Sequence, residues 1–159
     1  MISLATYPNP VQLWLAAAAA QGGDAPDEHG DQPDVEARSL RVLIVEDEFF
    51  ISLDTKRLLH NLGHVAVAVA VSADQAFNIA ERERPDVVLM DIRLIGTRDG
   101  IDAAEEIRGR LGIRSIFVTA NTDPRTRLRA EAVQPIGFLE KPLTEQRLRS
   151  GLRAVGNQQ

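Results

Sequence analysis

Five short apolar runs alternate with amphipathic segments from residue 41 to the end of the chain. The runs begin near residues 42, 64, 87, 116 and 136, and their apolar side chains do not alternate with polar ones. Such runs are typical of strands that are buried on both faces of a parallel sheet. Between them, apolar residues recur at helical spacing. The pattern predicts an α/β domain with a doubly wound, parallel sheet of five strands and five helices, (βα)5.

Polar residues ahead of the amphipathic segments predict where several helices begin. Ser72 and Gln75 have the spacing of a capping box before the second helix. Asp123 followed by Pro124 fits the cap and first turn of the fourth helix, and Thr144 precedes the last one. These signals support the boundaries inferred from the apolar periodicity.

The first 39 residues have a different composition and are predicted to be an N-terminal extension. Asn9 and Pro10 can start a short helix near residues 10–21, and the segment that follows is rich in Gly, Asp and Pro. Six acids and one base lie up to residue 40, so we expect a disordered acidic linker there. The extension is either a dispensable tail, which a truncation near Ser39 would test, or a docking helix anchored by Trp14. Residues 40–156 then form the single folded domain.

Composition narrows the classes of function. The chain has no cysteine, which excludes disulfides and thiolate metal sites, and its three histidines are scattered. The net charge of −5 argues against a nucleic-acid partner. No apolar run approaches the roughly 20 residues that a bilayer span requires, so we expect no membrane partner either.

Chemically related side chains stand at the ends of four of the predicted strands. Glu46 and Asp47 follow the first strand, Asp91 ends the third, Thr119 ends the fourth, and Lys141 follows the fifth. Ligands of open α/β sheets bind beyond the carboxyl ends of the strands, at the point where the strand order reverses. Any one of these residues alone would be read as a helix cap or a turn residue. Together they predict one site.

The residue types at this predicted site suit phosphoryl transfer. Clustered carboxylates offer the hard oxygen ligands that Mg²⁺ prefers, and an aspartate can act as a nucleophile. A lysine and a bound Mg²⁺ would neutralise charge on a transferring phosphoryl group, and a threonine hydroxyl can donate to one of its oxygens. The sequence therefore predicts a phosphoryl-accepting site with Mg²⁺ as cofactor.

Four motifs in this order and spacing resemble the receiver domain of two-component response regulators. They are VLIVEDE at 42–48, VVLMDIRL at 87–94, FVTA at 117–120 and FLEKP at 138–142. The resemblance covers roughly residues 40–155 and implies a flavodoxin-like fold with strand order 2-1-3-4-5. Because only four residues follow the last predicted helix, we expect a stand-alone, single-domain type.

The resemblance also implies roles for the acidic residues. Asp91 matches the phospho-accepting aspartate, Asp47 a direct metal ligand, and Glu46 the acidic neighbour that acts through water. Arg93 matches the residue whose backbone carbonyl completes the metal site. In the loop after Asp91, the proline usual near Ile95 is absent and one extra residue precedes the third helix.

Further roles concern phosphate contact and switching. Thr119, Ala120 and Lys141 match the residues that contact the phosphoryl group. Phe138 falls at the position of the aromatic switch residue, which responds together with Thr119. The resemblance implies a cis peptide bond between Lys141 and Pro142.

The function implied is that of a bacterial, cytoplasmic single-domain response regulator. It would accept a phosphoryl group on Asp91 from a histidine kinase and catalyse only its own phosphorylation and dephosphorylation. It would then signal through protein contacts at the face formed by the fourth helix, fifth strand and fifth helix, or act as a phosphate sink. Six arginines in those two helices predict an acidic downstream partner.

Two alternatives stay open. One is a degenerate receiver that is never phosphorylated and acts as a constitutive binding module. The other is a flavodoxin-like binder of a cofactor or nucleotide, which is disfavoured because Glu46 and Asp47 would repel a phosphate without metal.

Overall fold

The computed structural model describes residues 38–120 and 122–156. Residues 1–37, which include the predicted helix near residues 10–21 and most of the predicted acidic linker, lie outside the described residues. Strands and helices alternate along the rest of the chain: β1 (Arg41–Val45), α1 (Phe49–Asn61), β2 (Val65–Ala70), α2 (Ala73–Glu83), β3 (Val87–Asp91), α3 (Gly100–Leu111), β4 (Ser115–Thr119), α4 (Pro124–Ala132), β5 (Gly137–Glu140) and α5 (Glu145–Gly156).

The five strands form one parallel sheet in the order β2-β1-β3-β4-β5. The predicted flavodoxin-like, doubly wound architecture is therefore confirmed. The direction of winding reverses between β1 and β3, where Val45 pairs with Met90. The residues that follow this pair, Glu46 and Asp91, consequently meet at the switch point of the sheet.

The sheet separates two apolar cores. Leu43, Val45 and Met90 face α2, α3 and α4 on one side, whereas Ile44 and Leu89 face α1 and α5 on the other. Successive residues of a strand point to opposite faces, so an uninterrupted apolar run supplies both cores at once. This explains why all five residues of β3 are buried.

The predicted helix starts are present in the structure. The Ser72 hydroxyl accepts a hydrogen bond from the Gln75 N–H, and the Gln75 side chain accepts one from the N–H of Val71. Asp123 accepts from two backbone N–H groups in the first turn of α4, and Thr144 accepts from the Arg147 N–H in α5. Local capping signals were therefore sufficient to locate these boundaries.

Two helices are less deeply anchored than their periodicity suggests. In α1, Leu58 and Leu59 are buried, but Phe49 and Phe50 are 69% and 81% exposed. Because α1 begins just past the carboxyl edge of the sheet, its first turn lies beyond the strands that could cover it. In α4, Ala130 is the buried residue.

Within the described ranges, no helix combines the length and apolar character needed to cross a bilayer.

Candidate functional site

Three carboxylates converge at the switch point. Oxygen atoms of Glu46, Asp47 and Asp91 lie within 4.8 Å of one another. Glu46 and Asp91 are 4% and 6% exposed, whereas Asp47 is only partly buried. Buried like charges at this separation repel one another unless a cation lies among them. The predicted convergence of these three side chains is thus present in the structure.

Lys141 supplies a positive charge to this cluster. Its Nζ donates hydrogen bonds to Glu46 Oε2 and to Asp91 Oδ2, each at 2.7 Å. The lysine follows β5, and its peptide bond to Pro142 is cis, as predicted. Its backbone N–H also donates to the Thr119 carbonyl at 2.9 Å. The turn after β5 is therefore held against the end of β4, with the ammonium directed at the acids.

Burial and pairing perturb the ionisation of this pair. Burial raises the pKa of Glu46 above its ordinary value, although the hydrogen bond from Lys141 opposes the rise. For Lys141, burial alone would lower the pKa, but the hydrogen bonds to Asp91 and Glu46 outweigh it and raise the pKa. Lys141 is therefore a cation at neutral pH.

The loop after β3 wraps around the acidic cluster. The N–H of Arg93 donates to Asp91 Oδ1 at 2.9 Å, and the N–H of Ile95 donates to Asp47 Oδ2 at 3.3 Å. Both oxygens of Asp91 are thus hydrogen-bonded, one to the loop and one to Lys141. These contacts fix the rotamer of the Asp91 carboxylate.

Gly100 brings the start of α3 against the carbonyl of Asp91. Its N–H donates to the Ile92 carbonyl at 3.0 Å, and a Cβ atom at this position would lie 1.8 Å from the Asp91 carbonyl oxygen. Asp99, just before it, forms a capping box with Asp102. The motif Asp99-Gly100 therefore has a packing reason that sequence analysis did not identify.

The oxygen donors at the site fit a divalent cation. Mg²⁺ takes carboxylate oxygens and retains several waters, and three carboxylates within reach of one another provide such a set. Glu46, Asp47 and Asp91 would hold the ion. The N–H of Arg93 binds Asp91, and the role of its backbone carbonyl as a metal ligand remains a prediction.

Thr119 and Ala120 lie beside the cluster at the end of β4. The Thr119 hydroxyl is hydrogen-bonded to the hydroxyl of Thr122 at 2.9 Å, while Ala120 is exposed. Both threonines line an open cavity of about 290 Å³ between the loops that follow β3 and β4. The site therefore contains the predicted hydroxyl of Thr119. Its hydrogen-bond partner, Thr122, was not predicted from the sequence.

Phe138 lies between an aromatic ring and a guanidinium group. The ring of Phe117 is 5.6 Å away, and the Arg127 guanidinium lies 3.5 Å from the centre of the Phe138 ring. Cation–π contacts of this kind stabilise a ring orientation by about 0.5–1 kcal/mol at exposed sites. Phe138 is partly buried, and its predicted switch role remains a prediction.

Most arginines of α4 and α5 already have acidic or carbonyl partners. Arg129 binds Asp99 and Asp102 at the start of α3. Arg127 pairs with Glu131, Arg149 pairs with Glu145, and Arg147 donates to the carbonyls of Glu140 and Pro142. The arginines of α4 and α5 are consequently less available to the acidic residues of a partner protein than their number suggested.

The chain matches the family model for the response regulator receiver domain over residues 42–153. It belongs to the response regulator receiver family. Members are signalling modules of two-component systems rather than classical enzymes, and they act with histidine kinases and downstream proteins. The resemblance drawn from the four motifs is confirmed.

Relatives with known names include transcription regulators. The receiver is 36% identical over 104 residues to the transcriptional regulatory protein PdtaR of Mycobacterium tuberculosis, covering 65% of this chain and 50% of that protein. It is 35% identical over 102 residues to the phyllosphere-induced regulator PhyR of Methylorubrum extorquens, covering 64% and 38%. The chain thus spans half or less of the length of these relatives.

Solved structures agree with the fold. The signal receiver domain of a modulated diguanylate cyclase from Desulfovibrio desulfuricans has a TM-score of 0.71 and 32% identity, covering 75% of this chain and 95% of that one. The receiver domain of Erythrobacter litoralis PhyR has a TM-score of 0.66 and 35% identity, covering 76% and 92%.

Proposed function

We propose that this receiver domain accepts a phosphoryl group on Asp91 from a histidine kinase, in the cytoplasm of a bacterial cell. The observation that carries the proposal is the buried Asp91 carboxylate, which is hydrogen-bonded to Lys141 and clustered with Glu46 and Asp47. A degenerate receiver would be expected to have lost part of this set, since a constitutive binding module has no use for it.

The chemistry follows from the partners of Asp91. One carboxylate oxygen attacks the phosphorus atom of a phosphohistidine, a P–O bond forms, the P–N bond breaks, and the imidazole leaves. Lys141 binds the carboxylate of Asp91, so its ammonium group would lie close to the phosphoryl oxygens and neutralise their charge. Bound Mg²⁺ would contribute further neutralisation of that charge. In this scheme the domain catalyses only its own phosphorylation and dephosphorylation.

The kinase would approach the face that carries the first turn of α1. Phe49 and Phe50 are exposed, pack edge to face with ring centres 5.5 Å apart, and follow Asp47 closely in the chain. An exposed aromatic pair that follows a predicted metal ligand in the chain is the kind of surface that a protein partner covers.

The downstream contact is assigned to the face of α4, β5 and α5. Arg125, Arg127 and Leu128 are exposed on α4, although Arg127 is also engaged with Phe138. Because Arg127 is also paired with Glu131, a partner that presents an acidic group to Arg125 and an apolar group to Leu128 fits this face. A phosphate-sink role, in which phosphate is drained without a downstream partner, is the alternative output of the same chemistry.

The deciding experiment uses a small-molecule phosphodonor. The full chain and an Asp91→Asn variant are incubated with the donor, with and without Mg²⁺, and the intact mass is measured. We expect the mass of one phosphoryl group on the wild type, only when Mg²⁺ is present, and none on the variant. Equal labelling of both proteins would refute Asp91 as the acceptor. A wild type that remains unlabelled under every condition would favour the constitutive binding module.

A further inference from the structure

The Thr119 hydroxyl is directed toward the loop that leads into α4. It is hydrogen-bonded to the Thr122 hydroxyl at 2.9 Å, and Thr119 itself is 8% exposed. The carboxylate of Asp91 takes its hydrogen bonds elsewhere, from Arg93 and Lys141. The hydroxyl predicted to contact a phosphoryl group is therefore engaged by a different residue.

A threonine hydroxyl has one proton to donate. If Thr119 donates to Thr122, it must give up that bond before it can donate to a phosphoryl oxygen on Asp91. If Thr122 is the donor, the Thr119 proton is free, but a rotation of the Thr119 side chain toward Asp91 would still break the contact between the two hydroxyls. In both cases the contact with Thr122 competes with the contact that phosphorylation would create.

We infer that Thr122 is a positioning residue that holds the Thr119 hydroxyl away from Asp91 and so opposes the phosphorylated state. The inference rests on the proposed function, because it concerns the same phosphoryl group. Thr122 would act through Thr119 and would not touch the phosphoryl group itself.

The surroundings of Thr122 allow this exchange. Both threonines line the open cavity of about 290 Å³, so the hydroxyl that Thr119 leaves can be hydrated. The neighbouring residues that anchor α4 are engaged separately, because Asp123 accepts hydrogen bonds from Arg125 and Thr126. Breaking the Thr119–Thr122 bond thus need not break the cap of α4.

Beryllofluoride, which imitates a phosphoryl group on a carboxylate, provides the test. Its affinity for the full chain in the presence of Mg²⁺ is measured by calorimetric titration for the wild type and for Thr122→Val. The valine has the shape of threonine without the hydroxyl. Because one neutral hydrogen bond no longer competes, we expect binding about fivefold tighter.

Two control variants separate positioning from a structural effect. Thr122→Ser retains the hydroxyl and should bind as the wild type does. Thr126→Val removes another hydroxyl that lines the same cavity but is bonded to Asp123, and it should leave the affinity unchanged. In a Thr119→Ala background, Thr122→Val should have no further effect, since the hydroxyl that it releases is missing.

Each outcome decides the inference. Unchanged or weaker binding by Thr122→Val, with the wild type binding normally, would overturn the inference and leave the proposed function intact. Weaker binding would in particular indicate that Thr122 relays a hydrogen bond through Thr119. A wild type that binds no beryllofluoride would overturn the proposed function, and the inference with it. Thermal unfolding of each variant verifies that it is folded.

Discussion

Replacing Gly100 with alanine tests how closely α3 packs against the candidate site. The added Cβ would lie 1.8 Å from the carbonyl oxygen of Asp91, about 1.6 Å nearer than an ordinary contact. That oxygen belongs to the backbone of β3, which is paired with β1 and β4 on its two sides. The clash can be relieved only if α3 or the end of β3 moves.

The size of the effect follows from two opposing contributions. Overpacking that forces a backbone shift costs about 1–3 kcal/mol. Alanine is favoured over glycine in a helix by up to about 1 kcal/mol, and by less in the first turn. We therefore expect Gly100→Ala to lower the free energy of unfolding by about 2 kcal/mol. For a domain of this size the loss corresponds to a Tm about 8 °C lower.

Gly109 in the same helix provides a matched control. A Cβ at Gly109 meets no atom within 4 Å, so Gly109→Ala should raise the stability by about 0.5–1 kcal/mol through helix propensity alone. Thermal and urea unfolding of both variants measure the difference. Equal shifts in the two variants, or a Gly100→Ala protein as stable as the wild type, would refute the close approach to Asp91.

Two further predictions concern charge. Lys141→Met leaves the two carboxylates that Lys141 bridges without a cation. The unfolding free energy of this variant without Mg²⁺ should therefore fall by about 3 kcal/mol. Added Mg²⁺ should stabilise the variant more than it stabilises the wild type. Thermal unfolding with and without Mg²⁺ measures this, and a response no larger than that of the exposed control Lys56→Met would contradict it. Arg125→Glu should reduce the capture of cellular proteins by the phosphorylated chain and lower the salt sensitivity of that capture. If the Arg125→Glu variant captures as much protein as the control Arg57→Glu, the partner does not bind at Arg125 and the prediction is wrong.

The sheet and the place of the candidate site were predictable because each depends on local sequence. Residues 42–45 of β1 and 87–90 of β3 are uninterrupted apolar runs, which are typical of strands buried on both faces. Once the strands were located, Asp91 and Lys141 were expected at one edge, since the carboxyl ends of parallel strands meet there. The structure brings these side chains within hydrogen-bond distance.

Contacts that depend on loop conformation were not predictable. The bond between Thr119 and Thr122 and the approach of Gly100 to Asp91 arise from the paths of two loops, for which no periodicity exists. The partners of Arg129 lie on another helix, so the charge count of α4 could not anticipate its neutralisation. The amino-acid composition shows which charged residues are present, but which of them pair with one another depends on the folded structure.

The shallow anchoring of α4 has a consequence for the energetics of the whole domain. This helix of nine residues contributes Ala130 to the buried core, whereas α3 contributes five residues. Segments with little buried apolar surface open at a small fraction of the global unfolding free energy, as native-state hydrogen exchange reveals in other proteins. Among the described helices, α4 has the fewest buried residues, and it directly follows the loop that contains Thr122. We therefore expect the loss of one hydrogen bond in that loop to matter more for the opening of α4 than it would for a deeply buried helix.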